Sequence, residues 1–140
     1  MSGKHAGSCL CGAVRFEISG DFDKFFLCHC SRCRKFSGTA HASNLFSSDA
    51  QITWLSGKDK VKPFEVPGTR FSKNFCSECG SPLPRQRGDG AIVPAGCLDT
   101  PVDIEPNAHI FFADRANWDE HLEEVETFDQ RPGASPPSKV

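Results

Sequence analysis

The six residues Cys28-His29-Cys30-Ser31-Arg32-Cys33 contain three thiols, and we call Cys28, Cys30 and Cys33 the cysteine triad. Thiolates this close repel one another and oxidise readily unless a cation binds them. Zn²⁺ takes four tetrahedral ligands: structural sites fill all four with protein, whereas catalytic sites keep one position for water or substrate. The local sequence offers three sulfurs and no obvious fourth ligand. The triad is therefore expected to hold a zinc ion with one open position.

Four further cysteines form two pairs, Cys9/Cys11 and Cys76/Cys79. Because a structural zinc needs four ligands, we expect the two pairs to share one zinc ion and so to tie the first turn to the middle of the chain. Gly80 follows the second pair and permits the positive φ that lets backbone N–H groups face the sulfurs. Zinc binding contributes directly to folding, by about 10–16 kcal/mol apparent in zinc-finger peptides. Loss of a ligand from this site should therefore unfold the domain.

Other assignments of the thiols stay open. The triad could share a single zinc with Cys76 or Cys79 as a zinc ribbon, which would leave several free thiols. Cys97 could be the fourth ligand of the triad and close that site, or it could be a buried thiol without a chemical role. A scaffold of four disulfides is disfavoured, because there is no export signal and the partners in a Cys-x-Cys pair cannot easily be bridged.

An open zinc with thiolate ligands suits a soft anionic ligand, and a substrate thiol would bind there as its thiolate. A fourth sulfur would bring the formal charge of the site to about −2, so cations are expected nearby. Arg32, Arg34 and Lys35 are adjacent in sequence. His29 lies between two ligands, and its imidazole could move a proton to or from the reacting groups.

Short strands are expected to position these cysteines. Residues 24–27 lead directly into the triad, and 70–75 lead into Cys76. Segments 61–66 and 70–75 resemble the two arms of a hairpin through Pro67-Gly68. The remaining strand candidates are 13–18, 39–46, 51–55, 90–96 and 108–112, by alternation or by apolar content.

Helical signals are few. A short helical turn at 34–38 should end at Gly38. A helix is expected at 117–125, where Trp118, Leu122 and Val125 share a face. Six phenylalanines are expected mainly in the core, with one or two lining a pocket: Phe25, Phe26, Phe36, Phe46, Phe111 and Phe112.

The chain of 140 residues fits one domain with a modest core. Many short strands separated by Gly and Pro turns predict a mainly β, antiparallel, single-domain fold whose small core is supplemented by metal. We expect a flexible leader at 1–7, the zinc domain at 8–129, and a disordered tail at 130–140 that is rich in Pro, Gly and Ser.

Composition excludes several functional classes. A formal net charge of −2 without clustered Lys and Arg argues against nucleic acid as a partner. No apolar run approaches the ~20 residues of a membrane helix, and the first residues lack the hydrophobic core of a signal peptide. The protein is therefore expected to be soluble and cytoplasmic, where eight cysteines indicate metal or catalysis rather than disulfides.

The cysteine clusters and their flanks resemble the glutathione-dependent formaldehyde-activating enzyme family, which includes centromere-protein-V-like proteins. The resemblance covers residues 7–128 and includes all seven clustered cysteines in order. Its matching stretches are Gly7-Ser8-Cys9-Leu10-Cys11-Gly12-Ala13-Val14, Cys28-His29-Cys30-Ser31-Arg32-Cys33-Arg34-Lys35 with Gly38, Phe75-Cys76-Ser77-Glu78-Cys79-Gly80, Gly96-Cys97-Leu98-Asp99 and Pro106-Asn107-Ala108-His109-Ile110-Phe111 with Trp118.

The resemblance implies a zinc-stapled β-tent fold with two zinc ions. One would be structural, on Cys9, Cys11, Cys76 and Cys79, and the other would be held by the triad where a glutathione thiolate can approach. The implied activity is condensation of formaldehyde with glutathione to S-hydroxymethylglutathione, formally a carbon–sulfur lyase running in reverse. From their position beside the triad, Arg34 and Lys35 could hold a glutathione carboxylate or offset the charge of the thiolates. The alternative is a non-catalytic interaction module with two closed zinc sites.

Overall fold

The structure is a computed structural model that describes residues 3–133 and contains eleven short strands and one α-helix there. The strands are β1 (Lys4–Ser8), β2 (Arg15–Ser19), β3 (Lys24–Cys28), β4 (Ala42–Ser47), β5 (Gln51–Ser56), β6 (Val61–Glu65), β7 (Ser72–Cys76), β8 (Pro82–Leu83), β9 (Arg85–Arg87), β10 (Gly90–Pro94) and β11 (Ala108–Ile110). The helix is α1 (Ser31–Ser37), and single 3₁₀ turns occupy Lys58–Lys60, Ala95–Cys97, Phe112–Asp114 and Leu122–Glu124.

The strands form three small sheets, in the orders β1-β2-β5, β11-β3-β4-β10-β9 and β6-β7-β8. Neighbouring strands are antiparallel except for β11, which runs parallel to β3. This pairing sets Ile110 opposite Cys28, and the His29 N–H donates to the Ile110 carbonyl at 3.0 Å. A late segment of the chain therefore supports the strand end that carries the triad. The expected mainly β, single-domain fold is confirmed.

The core lies where the first and second sheets face each other. Phe16 and Ile18 of β2 are fully buried and alternate with more exposed neighbours, as a half-buried strand requires. They belong to one cluster with Leu45 of β4 and Val93 of β10, which are also fully buried. Cys76 at the end of β7 belongs to the same cluster, so the core also fixes the strand of the third sheet that leads into the second cysteine pair.

Several predicted elements are confirmed. The hairpin at 61–66 and 70–75 is the antiparallel pair of β6 and β7. The helical turn ends at Gly38, whose φ of +67° is the left-handed conformation expected of a C-terminal glycine. It begins earlier than predicted, because the Cys30 sulfur accepts the Cys33 N–H at 3.4 Å and so caps the helix.

The predicted helix at 117–125 is wrong. Only Leu122–Glu124 makes a single 3₁₀ turn, and His121 before it has a φ of +53°. Trp118, Leu122 and Val125 are 57%, 45% and 58% exposed, so the shared apolar face has no packing partner among the described residues. A short helix without tertiary packing is marginal in water. The core assignment also fails for Phe112, which is exposed.

The flexible leader expected at 1–7 is wrong for residues 4–7, which belong to β1. Five register pairs join β1 to β2, from Lys4 opposite Ser19 to Ser8 opposite Arg15. A Cβ on Gly7 would lie 2.2 Å from the Phe16 ring, so glycine is needed for this close pairing. Backbone pairing thus orders a strand that has almost no apolar pattern. Of the expected tail, residues 130–133 are exposed and 134–140 lie outside the described residues.

Across residues 3–133, no helix is both long and apolar enough to cross a lipid bilayer.

Candidate zinc and thiol site

The two cysteine pairs converge as expected. Cys9 and Cys11 lie in the turn between β1 and β2, Cys76 ends β7, and Cys79 follows it in a tight turn. The four sulfur atoms all lie within 4.8 Å of one another. The Sγ atoms of Cys9 and Cys11 are 3.5 Å apart, and those of Cys11 and Cys76 are 3.9 Å apart. A tetrahedron with Zn–S bonds of about 2.3 Å has edges of about 3.8 Å, so these four residues fit a zinc ion.

Backbone groups also prepare this group to bind a cation. The Val14 N–H donates to Cys9 Sγ at 3.3 Å, and the Glu78 N–H donates to Cys76 Sγ at 3.4 Å. Gly80 has the predicted positive φ, +78°, and its N–H bonds to the Cys76 carbonyl at 2.7 Å. A hydrogen bond with the Ser81 hydroxyl lowers the pKa of Cys79 to about 5. Hydrogen bonds to sulfur favour its thiolate form, which is the form that binds metal.

The cysteine triad is the second sulfur group. Cys28 ends β3, Cys30 caps α1 and Cys33 lies in its first turn, and their sulfurs are all within 4.8 Å of one another. Over residues 3–133, no His, Cys, Asp or Glu side chain joins them as a fourth member. Burial raises the pKa of Cys28 and Cys33, so both need a bound cation to stay ionised. The triad fits a zinc ion with three protein ligands.

A large cavity opens at the triad. Its volume is about 1200 Å³, and all three triad cysteines line it. Five cationic side chains share the wall with two carboxylates, Asp99 and Asp114, and the cations come from α1, from the loop before β7 and from β7 and β9. They are Arg32, Arg70, Lys73, Arg85 and Arg87. The cavity is therefore positively charged although the chain has a formal net charge of −2.

Aromatic side chains form part of the same wall. Phe36 lies one helical turn after Cys33, and its ring centroid is 5.3 Å from that of Phe71. Lys73 Nζ lies 4.8 Å from the Phe36 ring centroid, and the Arg32 guanidinium lies 5.5 Å from that of Phe71. Phe36 was expected in the core or in a pocket, and it lines this cavity, as do Phe46 and Phe111.

His29 does not line the cavity; it lies behind the triad with 1% of its side chain exposed. Its Nε2 is 2.8 Å from His109 Nδ1, and its Nδ1 is 3.0 Å from Asp119 Oδ2. Burial lowers the pKa of His29 in spite of the Asp119 carboxylate. His41 does line the cavity, and its ring centroid is 5.1 Å from that of His29. From the sequence, His41 is expected to be a surface or packed histidine, because it lies outside the short spacing that marks the triad.

The other predicted site residues either do not line the cavity or do not belong to a sulfur group. Arg34 and Lys35 are not among the cavity residues, and Arg34 Nη1 donates to the Asp114 carbonyl at 3.1 Å. Cys97 lines the cavity but belongs to neither sulfur group; its thiol donates to the Pro94 carbonyl at 2.9 Å. Burial raises its pKa to about 12. The sulfurs of Cys97, Cys76 and Cys79 do not join the triad, so neither the closed site with Cys97 nor the zinc ribbon is present.

Comparison with known proteins agrees with this geometry. The sequence profile described as "Glutathione-dependent formaldehyde-activating enzyme" matches residues 4–114. A Halomonas elongata protein, whose name assigns it provisionally to these enzymes, is 30% identical over an alignment of 124 residues, and the match covers 80% of this chain and 77% of that protein. A crystal structure of a Rhodobacter sphaeroides protein covers 74% of this chain and 98% of its own, with a TM-score of 0.50 and 22% identity, and so supports the fold. The chain belongs to the glutathione-dependent formaldehyde-activating enzyme family.

Proposed function

We propose that this protein is a zinc-dependent enzyme that forms or breaks the carbon–sulfur bond between glutathione, or a related thiol, and an aldehyde. The observation that carries the proposal is the triad: three sulfurs with no fourth ligand among the described residues, facing a cavity of about 1200 Å³. A catalytic zinc keeps one position for substrate, whereas a structural zinc has four protein ligands. The group of Cys9, Cys11, Cys76 and Cys79 has the four sulfurs of the structural type.

Zinc held by the triad would supply a Lewis acid that favours the thiolate form of an incoming thiol at neutral pH. The substrate sulfur then attacks the aldehyde carbon, the carbon–sulfur bond forms, and the carbonyl electron pair becomes an alkoxide that takes up a proton. The reverse path breaks the same bond. The cavity wall would hold both reactants in contact, which by itself removes much of the entropic barrier to a two-reactant step.

The charge of the cavity supports an anionic thiol. Glutathione carries two carboxylates, and the wall has five cations against two carboxylates. Charge-assisted hydrogen bonds between guanidinium and carboxylate groups are stronger than neutral ones. Arg34 and Lys35 remain proposed contributors to the local positive charge, although neither lines the cavity.

We propose that His29 acts through His41 and does not touch the substrate itself, because only His41 lines the cavity. The His41 imidazole is the candidate that gives a proton to the alkoxide, and Ser43 Oγ lies 3.4 Å from its Nδ1. His29 packs behind it, between Asp119 and His109. His29 would then fix the position of His41, and Asp119 would orient the His29 ring.

Native mass spectrometry with and without glutathione tests the proposal. The protein should carry two zinc ions and bind glutathione, and Cys30→Ser should lose the glutathione adduct while it keeps the structural zinc. Cys97→Ser is the matched control, because Cys97 lines the same cavity but belongs to neither sulfur group. Two zinc ions without any thiol adduct in the wild-type protein would refute the proposed enzymatic function.

One observation favours the alternative, an interaction module without catalysis. Trp118, Val125 and Phe128 are 57%, 58% and 51% exposed and lie close together in sequence, as apolar residues of a protein-contact segment would. A module of this kind would give the second outcome above: two zinc ions and no thiol adduct. It would also show no turnover with any thiol and aldehyde.

A further inference from the structure

Arg85 is a partly buried cation in the cavity wall that has no acidic partner. It lies on β9, lines the cavity, and its Nη1 donates to the Ser72 hydroxyl. None of the ion pairs within residues 3–133 includes it. A guanidinium has five N–H donors, so most of its hydrogen-bonding capacity is unused by the protein. A charge withdrawn from water without a partner is costly, which indicates that an anion completes this position.

The electrostatics of Arg85 agree with its position. Burial is the main reason that its pKa lies below the ordinary value, Arg87 lowers it further, and Cys33 opposes both. Arg85 and all three triad cysteines line the same cavity. Arginine stays protonated at physiological pH in spite of such shifts. A ligand whose sulfur meets the triad can thus present a second negative group to Arg85.

The strand holds this side chain in a fixed direction. Arg85 and Arg87 are two residues apart on β9, and both line the cavity, as the alternation of a strand requires. The side chain of Gln86 between them lies on the other face of the strand, where its Nε2 donates to the carbonyls of Ala50 and Gly90. β9 also pairs with β10, with Arg85 opposite Ile92. The guanidinium is therefore preorganised, which makes a charged contact selective.

We propose that Arg85 is a specificity-determining residue that binds a carboxylate of the thiol substrate, so that the site selects thiols carrying a carboxylate over neutral or cationic thiols. This inference rests on the proposed function, because it assumes that a thiol occupies the triad. A planar guanidinium can donate two parallel hydrogen bonds to one carboxylate, and an ammonium group cannot. The identity of the residue at position 85, and not its charge alone, then determines the preference.

The test compares two ligands with the same thiol. Zinc-loaded protein is titrated with glutathione and with glutathione diethyl ester, in which both carboxylates are neutralised, and the two Kd values are measured by calorimetry. The wild-type protein should bind glutathione roughly 10- to 100-fold more tightly than the ester, the usual range for a hydrogen bond to a charged group. Arg85→Gln should lose most of this ratio by weakening glutathione binding alone. Arg85→Lys should recover only part of it.

Arg15→Gln is the matched control, because Arg15 is exposed on β2 and does not line the cavity. Its ratio should equal that of the wild type, and zinc content should be the same in all four proteins. The inference is overturned if Arg85→Gln keeps the wild-type ratio. It is also overturned if the wild type binds the ester as tightly as glutathione, a result that needs no variant to fold. If neither thiol binds the wild type, the proposed function fails as well, and the outcomes are thus distinguishable.

Discussion

Replacing Cys76 with serine should remove a large part of the stability of the domain, and the geometry gives its size. Cys11 and Cys76 are 65 residues apart in sequence, and a zinc ion bound by the four sulfurs would crosslink them. In the chain-entropy relation for a crosslink, closing a loop of that length stabilises the folded state by about 4 kcal/mol at 25 °C. Small domains are stable by only about 5–15 kcal/mol in total. Cys76→Ser should therefore lose between about a quarter and four-fifths of that stability.

Chemical unfolding followed by circular dichroism, together with zinc content, measures this loss. Cys97→Ser is the control, because serine can still donate a hydrogen bond to the Pro94 carbonyl in place of the Cys97 thiol. It should unfold within about 1 kcal/mol of the wild type, as conservative changes outside a metal site usually do. The reasoning is refuted if Cys76→Ser binds one zinc less and yet unfolds at the same denaturant concentration as the control.

Three further predictions concern the triad and its cavity. Cys30→Ser should cost only about 2 kcal/mol in the same unfolding assay, because Cys28 and Cys33 close a loop of five residues; a loss equal to that of Cys76→Ser would contradict this. With a pKa of about 12, Cys97 should be about one part in 10⁴ thiolate at pH 8, against about a quarter for a free cysteine. Iodoacetamide should therefore modify Cys97 about a thousandfold more slowly than it modifies the free thiol of glutathione. Peptide mass mapping of the zinc-loaded protein measures the rate, and rapid labelling of Cys97 would refute its burial. His41→Gln should lower kcat by roughly 100-fold or more with zinc content unchanged, as loss of a general acid does, whereas unchanged kcat would exclude His41 as proton donor.

The cysteine groups could be predicted from the sequence because metal ligands have short, regular spacing. Cys76 and Cys79 are separated by two residues, as in many zinc knuckles, and counting four ligands per structural zinc then joined them to the first pair. The hairpin of β6 and β7 was predicted from the Pro67-Gly68 turn for the same reason: its signal is local. The order of the strands in the sheets carries no such local signal.

The cavity could not be predicted in this way. Arg32, Arg70 and Arg85 belong to three different parts of the chain and meet only because the sheets bring them to one wall. Arg34 and Lys35 were chosen because they are adjacent to the triad in sequence, yet the helix does not bring them into the cavity. Periodicity also misled at 117–125, because a shared apolar face does not reveal whether any other element covers it.

The two sulfur groups differ in how far apart along the chain their members lie, and this difference bears on biosynthesis. The triad is complete once residue 33 has left the ribosome, whereas the structural group waits for Cys79. Contacts between distant residues form later and more slowly than local ones. We therefore expect that, in a nascent chain supplied with zinc, the triad is the first of the two sulfur groups able to bind the metal.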